Sequence, residues 1–281
     1  MSVDALMPAD VAKKAEALGV AKATAPAIKL LVLGVLAGAF IALGALFATT
    51  VTAGGGLGFA EGRLLGGVTF SLGLVLVVLA GAELFTGNNL IVMALASGRI
   101  TVAQVLRNWV IVYVGNFVGA IGTAAIVFAS EQYLQGGGDV GLRMLAIGAA
   151  KTDLEFLPAV ALGVMCNVLV CLAVWLCMSA RSAADKVLVI VLPITAFVAA
   201  GFEHCVANMY FIPKALFVKM WATDEFWQST GASASQYGHL TWSRFFVNNL
   251  VPVTLGNIIG GSLLVGLVYW FVYLRQERTS R

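Results

Sequence analysis

AGAELFTGN at residues 80–88 returns as AGFEHCVAN at residues 200–208. Ala80, Gly81, Glu83 and Asn88 fall on Ala200, Gly201, Glu203 and Asn208, a constant offset of 120. Each copy breaks a long apolar run with a carboxylate and further polar residues. These are Thr86, Gly87, Asn88 and Asn89 after Glu83, and His204 and Asn208 after Glu203. A second match accompanies the first: NWVIVYVGNFVGA at 108–120 resembles NLVPVTLGNIIGG at 249–261. Here Asn108, Gly115, Asn116 and Gly119 fall on Asn249, Gly256, Asn257 and Gly260, an offset of 141. The difference of 21 is absorbed by a longer loop at about 218–244.

The 281 residues around these motifs are 60% hydrophobic and 11% charged, with a mean hydropathy of +0.94. A soluble domain carries about 25% charged residues. So little charge excludes an ordinary soluble globule and also a disordered chain, leaving a bilayer as the natural solvent. Six apolar segments are long enough to span, at about 28–53, 64–95, 104–130, 154–180, 187–217 and 245–274. The second span then matches the fifth, and the third matches the sixth. Two consecutive three-span repeats must have opposite topology, which is the inverted-repeat plan of transporters and channels. The sequence therefore predicts an all-α membrane protein of six transmembrane helices in two inverted three-helix repeats. The second and fifth helices are broken. Residues 1–27 form an N-terminal segment with a short amphipathic helix, 28–274 the pore domain and 275–281 a tail.

Charge placement orients the chain. Lys13, Lys14, Lys22, Lys29, Arg99, Arg107, Arg181, Lys186, Arg275, Arg278 and Arg281 flank one side. Arg63, Arg143, Lys151, Lys214, Lys219 and Arg244 flank the other. The richer side is cytoplasmic by the positive-inside rule, and both termini lie there. The first 27 residues carry no signal-peptide pattern. Within them Pro8 opens a helix over 8–19, Asp10 suits its positive end and Gly19 ends it. Val11, Ala15 and Leu18 share its apolar face, which suits a membrane surface, a pore mouth or plain solvent.

Gly115 and Gly119, and Gly256 and Gly260, have the spacing that lets helices approach closely. Cys166, Cys171, Cys177 and Cys205 all fall in apolar stretches and read as buried thiols, neither disulfides nor metal ligands. Glu83 and Glu203 are read as the charged residues deep in spans, each tying down freed backbone N–H groups. The N-termini exposed by the two breaks would put positive dipole ends near a pathway, favouring an anion. His204 lies in one of these breaks, whereas the other histidine, His239, lies in an outer loop. His204 is thus the candidate to donate a hydrogen bond or proton near neutral pH.

An intramembrane enzyme would need a nucleophile or metal-ligand cluster beside Glu83 and Glu203, and none accompanies them. Paired haem ligation fails because His204 and His239 lie at different depths. A structural scaffold would not need polar breaks at equivalent positions. A nucleic-acid role lacks a basic patch beyond the flanking charges. No cofactor or metal is implied.

The chain resembles the formate/nitrite transporter family, and within it the bacterial formate channels. The resemblance runs from PADVAKKAEALGV (8–20) to LGNIIGGSLLVGLVYW (255–270). Its most telling stretches are FSLGL (70–74), LFTG (84–87), ASGRIT (96–101), NVLVCLAVW (167–175), GFEHCVANMYFIP (201–213) and PVTLGNIIGG (252–261). It implies an aquaporin-like protomer in a homopentamer of the bacterial inner membrane, surrounded by lipid, with one pore per protomer. It also implies that the pore threonine is Thr86, the central histidine His204 and the vestibule lysine Lys151. Apolar constrictions fall on Phe70, Leu74, Leu84, Phe85, Val170 and Phe197, and supporting polar residues on Asn167, Glu203 and Asn257. The expected function is pH-dependent passage of a small monovalent anion, formate foremost. The sequence departs from the family's formate channels after Thr86, where Gly87, Asn88 and Asn89 replace small hydroxyl residues. This triplet resembles nitrite- and hydrosulfide-carrying relatives, so those substrates are the alternatives.

Overall fold

The computed structural model describes residues 5–275. Residues 1–4 lie outside the described residues, as do Arg278, Arg281 and the tail beyond Arg275. The chain folds into helices α1 (Pro8–Thr24), α2 (Ala27–Val51), α3 (Phe59–Ala80), α4 (Gly87–Ala96) and α5 (Val102–Ala129). There follow α6 (Asp139–Thr152), α7 (Phe156–Ser179), α8 (Ala183–Ala200), α9 (Cys205–Trp221) and α10 (Asp224–Thr230). The last, α11, runs without a break from Trp242–Arg244 to Val268–Tyr273. Six of these helical runs are long and apolar enough to cross a membrane, and among the described residues there is no strand.

The second and fifth spans are broken where the repeated motif lies. The α3 helix stops at Gly81 (φ +80°) and α8 at its mate Gly201 (φ +75°). Both adopt the left-handed conformation that only glycine reaches without strain. After a short irregular segment the chain resumes as the half-helices α4 and α9. The first turns of α4 are tightened to 3₁₀ geometry over Gly87–Ile91.

Glycine contacts set the helix crossings. A Cβ on Gly115 would sit 2.8 Å from the Leu31 carbonyl oxygen and 3.0 Å from Gly34 Cα. In the other half, a Cβ on Gly163 would sit 2.8 Å from the Val253 carbonyl oxygen and 3.2 Å from Gly256 Cα. The Gly-x-x-x-Gly motifs thus bring α5 onto α2 and α11 onto α7 at backbone distance. The α11 helix also contains π-helical turns at Phe245–Leu250 and Ile259–Leu267.

Two expectations about charged or apolar faces are corrected. Helix α1 continues past Gly19 to Thr24, because Gly19 is a contact and not a stop: its Cα faces Ile91 and Ala94 of α4. Its buried face is Val11, Ala12, Ala15, Gly19 and Ala23, while Leu18 is exposed. The helix therefore packs on the half-helix and α7, closing one end of the bundle. Lys214, counted among flanking charges, is buried in α9 (1% exposed). Its ammonium lies 5.0 Å from the centre of the Tyr210 ring and donates to Gln132 Oε1 at 3.3 Å. Its long apolar stem and the aromatic face make that burial tolerable.

The interior is where the polar side chains are. Asn88, Asn89, Asn108, Asn116, Asn167, Asn208, Asn249 and Asn257 are all buried, whereas Val110, Val114, Leu188 and Leu192 point outward. The four cysteines are free and buried, as expected. On the face near the termini, Arg99 pairs with Glu16 (3.4 Å) and Lys14 Nζ donates to the Met178 carbonyl (2.8 Å). On the far face Arg244 pairs with Asp153 (3.1 Å). Arg99 and Lys14 thus lie on one face and Arg244 on the other.

Candidate functional site: two mirrored ion pairs around a threonine–histidine contact

Each break is held by the same construction. Asn116 Oδ1 accepts the freed Phe85 N–H at 2.9 Å, and its Nδ2 donates to the carbonyls of Gly34 (2.8 Å) and Glu83 (2.9 Å). Asn257 does the same for the other break. Its Oδ1 accepts Cys205 N–H at 2.9 Å, and its Nδ2 donates to the carbonyls of Gly163 (2.8 Å) and Glu203 (3.0 Å). An asparagine carries both a donor and an acceptor, so one side chain satisfies both kinds of orphaned backbone group.

The carboxylates therefore do not bind freed backbone N–H groups, contrary to the expectation for them. Glu83 Oε2 accepts from Lys22 Nζ (2.8 Å) and Asn88 Nδ2 (2.7 Å). Glu203 accepts from Lys151 Nζ on Oε1 (2.7 Å), and from Asn208 Nδ2 (2.7 Å) and Asn249 Nδ2 (3.1 Å) on Oε2. The asparagines extend each cluster: Asn88 Nδ2 reaches Asn108 Oδ1 (3.0 Å), and Asn208 Nδ2 reaches Asn249 Oδ1 (2.6 Å). Asn108 Nδ2 closes on the Lys22 carbonyl (3.0 Å), and Asn249 Nδ2 on the Lys151 carbonyl (2.9 Å). Both lysine–glutamate pairs thus combine opposite charges with hydrogen bonds, the condition under which such burial is tolerated.

Lys22 is the residue that sequence reasoning missed. Gly19, Lys22 and Gly34 lie 129 positions before Gly148, Lys151 and Gly163. The duplication therefore includes α1, whose mate is α6, and this third offset is the signal that could have found it.

Between the two clusters lie Thr86 (0% exposed) and His204 (3% exposed), with Thr86 Oγ1 3.0 Å from His204 Nε2. His204 is the N-cap of α9, its Nδ1 accepting Ala207 N–H at 3.1 Å. An Nδ1 that accepts must be unprotonated, so the neutral ring carries its hydrogen on Nε2 and donates it to Thr86. The Thr86 carbonyl accepts from Asn167 Nδ2 (3.3 Å) and from the Cys171 thiol (3.4 Å). Asn167 Nδ2 also contacts Asn89 Oδ1 (2.9 Å) and the Asn257 carbonyl (2.6 Å). The GNN triplet is thereby explained as anchorage. Asn88 joins the Glu83 cluster and Asn89 joins Asn167, so both side chains tie the loop down.

A cavity of about 620 Å³ leads from the far face to His204. Phe70, Phe197 and Phe211 line it, together with Lys151, Glu203 and Asn208. The Phe70 and Phe197 rings meet edge to face at 5.6 Å, and Phe197 lies parallel to the His204 ring at 6.0 Å. Leu74, Leu84 and Val170 are buried in the same apolar core. The Phe85 ring packs against Tyr113 (4.9 Å) and Trp109 (6.1 Å).

A family model described as formate/nitrite transporter matches residues 9–271. The chain belongs to the formate/nitrite transporter family. It is 47% identical over 275 residues to the formate channel FocA of Escherichia coli (strain K12), covering 98% of this chain and 96% of FocA. It is 42% identical over 268 residues to the formate channel FocA of Haemophilus influenzae, covering 95% and 94%. A solved structure described as a pentameric formate channel with formate bound superposes with a TM-score of 0.85 at 49% identity, covering 89% of this chain and 98% of that one. In this chain, then, the mirrored clusters bear out the inverted-repeat plan.

Proposed function

We propose that this chain forms a homopentameric channel of the bacterial cytoplasmic membrane, each protomer passing formate. The Thr86–His204 contact carries the reading: it stands where the two half-helices begin, at the inner end of the far-face cavity. The named formate channels among its relatives support the substrate, and the pentameric neighbour supports the assembly.

The far face is then the external side. An anion enters the vestibule, where Lys151 supplies the attracting charge. It must next pass Phe70 and Phe197, and an apolar ring raises the energy of a naked charge by several kcal/mol. His204 removes that barrier. Protonation places a second hydrogen on Nδ1 and forfeits the Ala207 cap bond, so the charged ring exists only with an anion beside it. The imidazolium–formate pair then becomes imidazole and formic acid, and the uncharged acid crosses. Thr86 accepts the Nε2 hydrogen, leaving its own hydroxyl hydrogen to bind the substrate. Asn167 and Asn257 hold Thr86 and the break in place.

Flux into proteoliposomes, with formate, nitrite and hydrosulfide competing, tests the substrate. Formate flux slower than nitrite or hydrosulfide flux would overturn the assignment. Lys151→Ala leaves Glu203 unpaired, which turns attraction into repulsion. The half-saturating formate concentration is expected to rise about ten-fold, equivalent to roughly 1.4 kcal/mol. Lys151→Arg is expected to restore it, and an unchanged value in the alanine variant would reject the vestibule role. Thr86→Val keeps the shape and removes the hydroxyl. It is expected to slow formate flux about five-fold, the order of one hydrogen bond. Unaltered flux would remove Thr86 from the pathway.

A further inference from the structure

The far-face cavity holds two more cations than the Lys151–Glu203 pair accounts for. Arg63, in the first turns of α3, and Arg143, on α6, both line it. Arg143, Ile147 and Lys151 recur every four residues on α6 and all line the cavity, so its wall carries a cation at each end of about 12 Å of helix. Lys151 is committed to Glu203 at 2.7 Å. Among the described residues no carboxylate pairs with Arg63 or Arg143. Arg143 Nε donates to Thr52 Oγ1 at 3.3 Å, and Arg63 Nη1 reaches the Val198 carbonyl at 3.5 Å. These partners are neutral, and each guanidinium keeps further N–H donors. Burial, and then the Arg63 charge, hold the Arg143 guanidinium below its usual pKa. Two cations close enough to disfavour each other are relieved by an anion between them.

We propose that Arg63 and Arg143 form an outer capture site for planar two-oxygen anions, carboxylates in particular, ahead of the Lys151–Glu203 pair. A guanidinium presents parallel N–H groups that match a carboxylate's two oxygens, whereas a lysine ammonium is a point charge. The outer site therefore selects by shape what the inner lysine attracts by charge. Its cavity, at about 620 Å³, is far larger than formate needs, so the site also holds carboxylates too bulky to pass the phenylalanines. Those carboxylates act as blockers from this face.

The proposal rests on the channel reading for its transport arm and not for its binding arm. In the first arm, formate and acetate are titrated calorimetrically into the solubilised full chain, with chloride at equal ionic strength as the reference anion. Both carboxylates are expected to bind more tightly than chloride to the wild type, and the preference is expected to vanish in the Arg63→Gln/Arg143→Gln double variant. In the second arm, formate influx is measured against formate concentration with acetate as competitor. The double variant is expected to raise half-saturation about five-fold, as for the loss of one ordinary net hydrogen bond. Its saturating rate is expected to fall less than about two-fold, and acetate competition to disappear. Arg143→Lys keeps the charge and is expected to keep attraction but lose the preference for acetate over chloride. Equal binding of chloride and acetate to the wild type overturns the site, as does an unaltered half-saturation in the double variant. If the wild type binds carboxylates selectively yet passes no formate, the channel reading fails and the capture site stands.

Discussion

Asparagine in place of His204 is expected to flatten the pH dependence of formate flux while leaving the fold in place. Asparagine is among the best helix N-caps, so its Oδ1 takes over the Ala207 N–H that His204 Nδ1 accepts at 3.1 Å. What it lacks is a ring nitrogen that can take up a proton and pass it to the anion. On the mechanism proposed above, each inward crossing consumes one external proton. Influx is therefore expected to rise as external pH falls from about 8 to about 5, because the proton taken up with each anion becomes more abundant. In His204→Asn the profile is expected to be flat. An ordinary carboxylic acid is almost wholly ionised at neutral pH, so without a donor what crosses is the bare anion, whose abundance hardly changes over this range. Influx at neutral pH is expected to drop at least ten-fold, at the low end of what a positioned proton donor contributes. The measurement is proteoliposome influx across the pH range, with pentamer size by gel filtration as the folding control. The same flux and profile in both proteins would end the role assigned to His204.

Leucine in place of Asn257 is expected to give the largest loss of stability. Asn257 is buried and serves four groups. It takes the Cys205 N–H, donates to the Gly163 and Glu203 carbonyls, and its own carbonyl accepts from Asn167. The Asn167 bond is made to the backbone and survives the change. The other three lose their partner in a dry interior. An unsatisfied buried group costs about 1–3 kcal/mol, so the loss is expected to reach about 3 kcal/mol or more. Asn116→Leu strips Phe85 N–H, Gly34 and Glu83 in the same way and is expected to match it. Thermal unfolding of the solubilised protein checks both. A variant within about 0.5 kcal/mol of the wild type, the size of an ordinary surface change, would show that the breaks hold without these side chains.

The correspondence between the two asparagines is legible in the amino-acid sequence. Asn116 and Asn257 align in the repeat, as do Asn108 and Asn249, but their spacing points only to close glycine packing. Their task depends on what lies across the helix, and residues 31 to 94 positions away in sequence supply it. Lys22 escapes a reading by hydropathy because it sits in a polar helix that resembles a solvated segment. Its role appears only once α1 is laid on α4. Arg63 and Arg143 read as flanking charges, since nothing local says that two helices bring them to one cavity. Lys214 reads as a flank residue because sequence hydropathy cannot see the Tyr210 ring that accommodates its ammonium.

Sequence alone determined the solvent, the six spans, their pairing into two inverted halves and the two points where helices break. Those properties are local or repetitive. Apolar length sets a span, and a duplicated gene segment leaves the same glycine, glutamate and asparagine in both copies. The tertiary structure decided which polar groups meet. Thr86 and His204 are 118 positions apart, and Lys22 is 61 from Glu83. Such meetings are fixed by helix crossings at backbone distance and by left-handed turns at Gly81 and Gly201. In a medium without water every freed backbone group and charge must then find its partner inside the protein, and the fold is the arrangement in which they do.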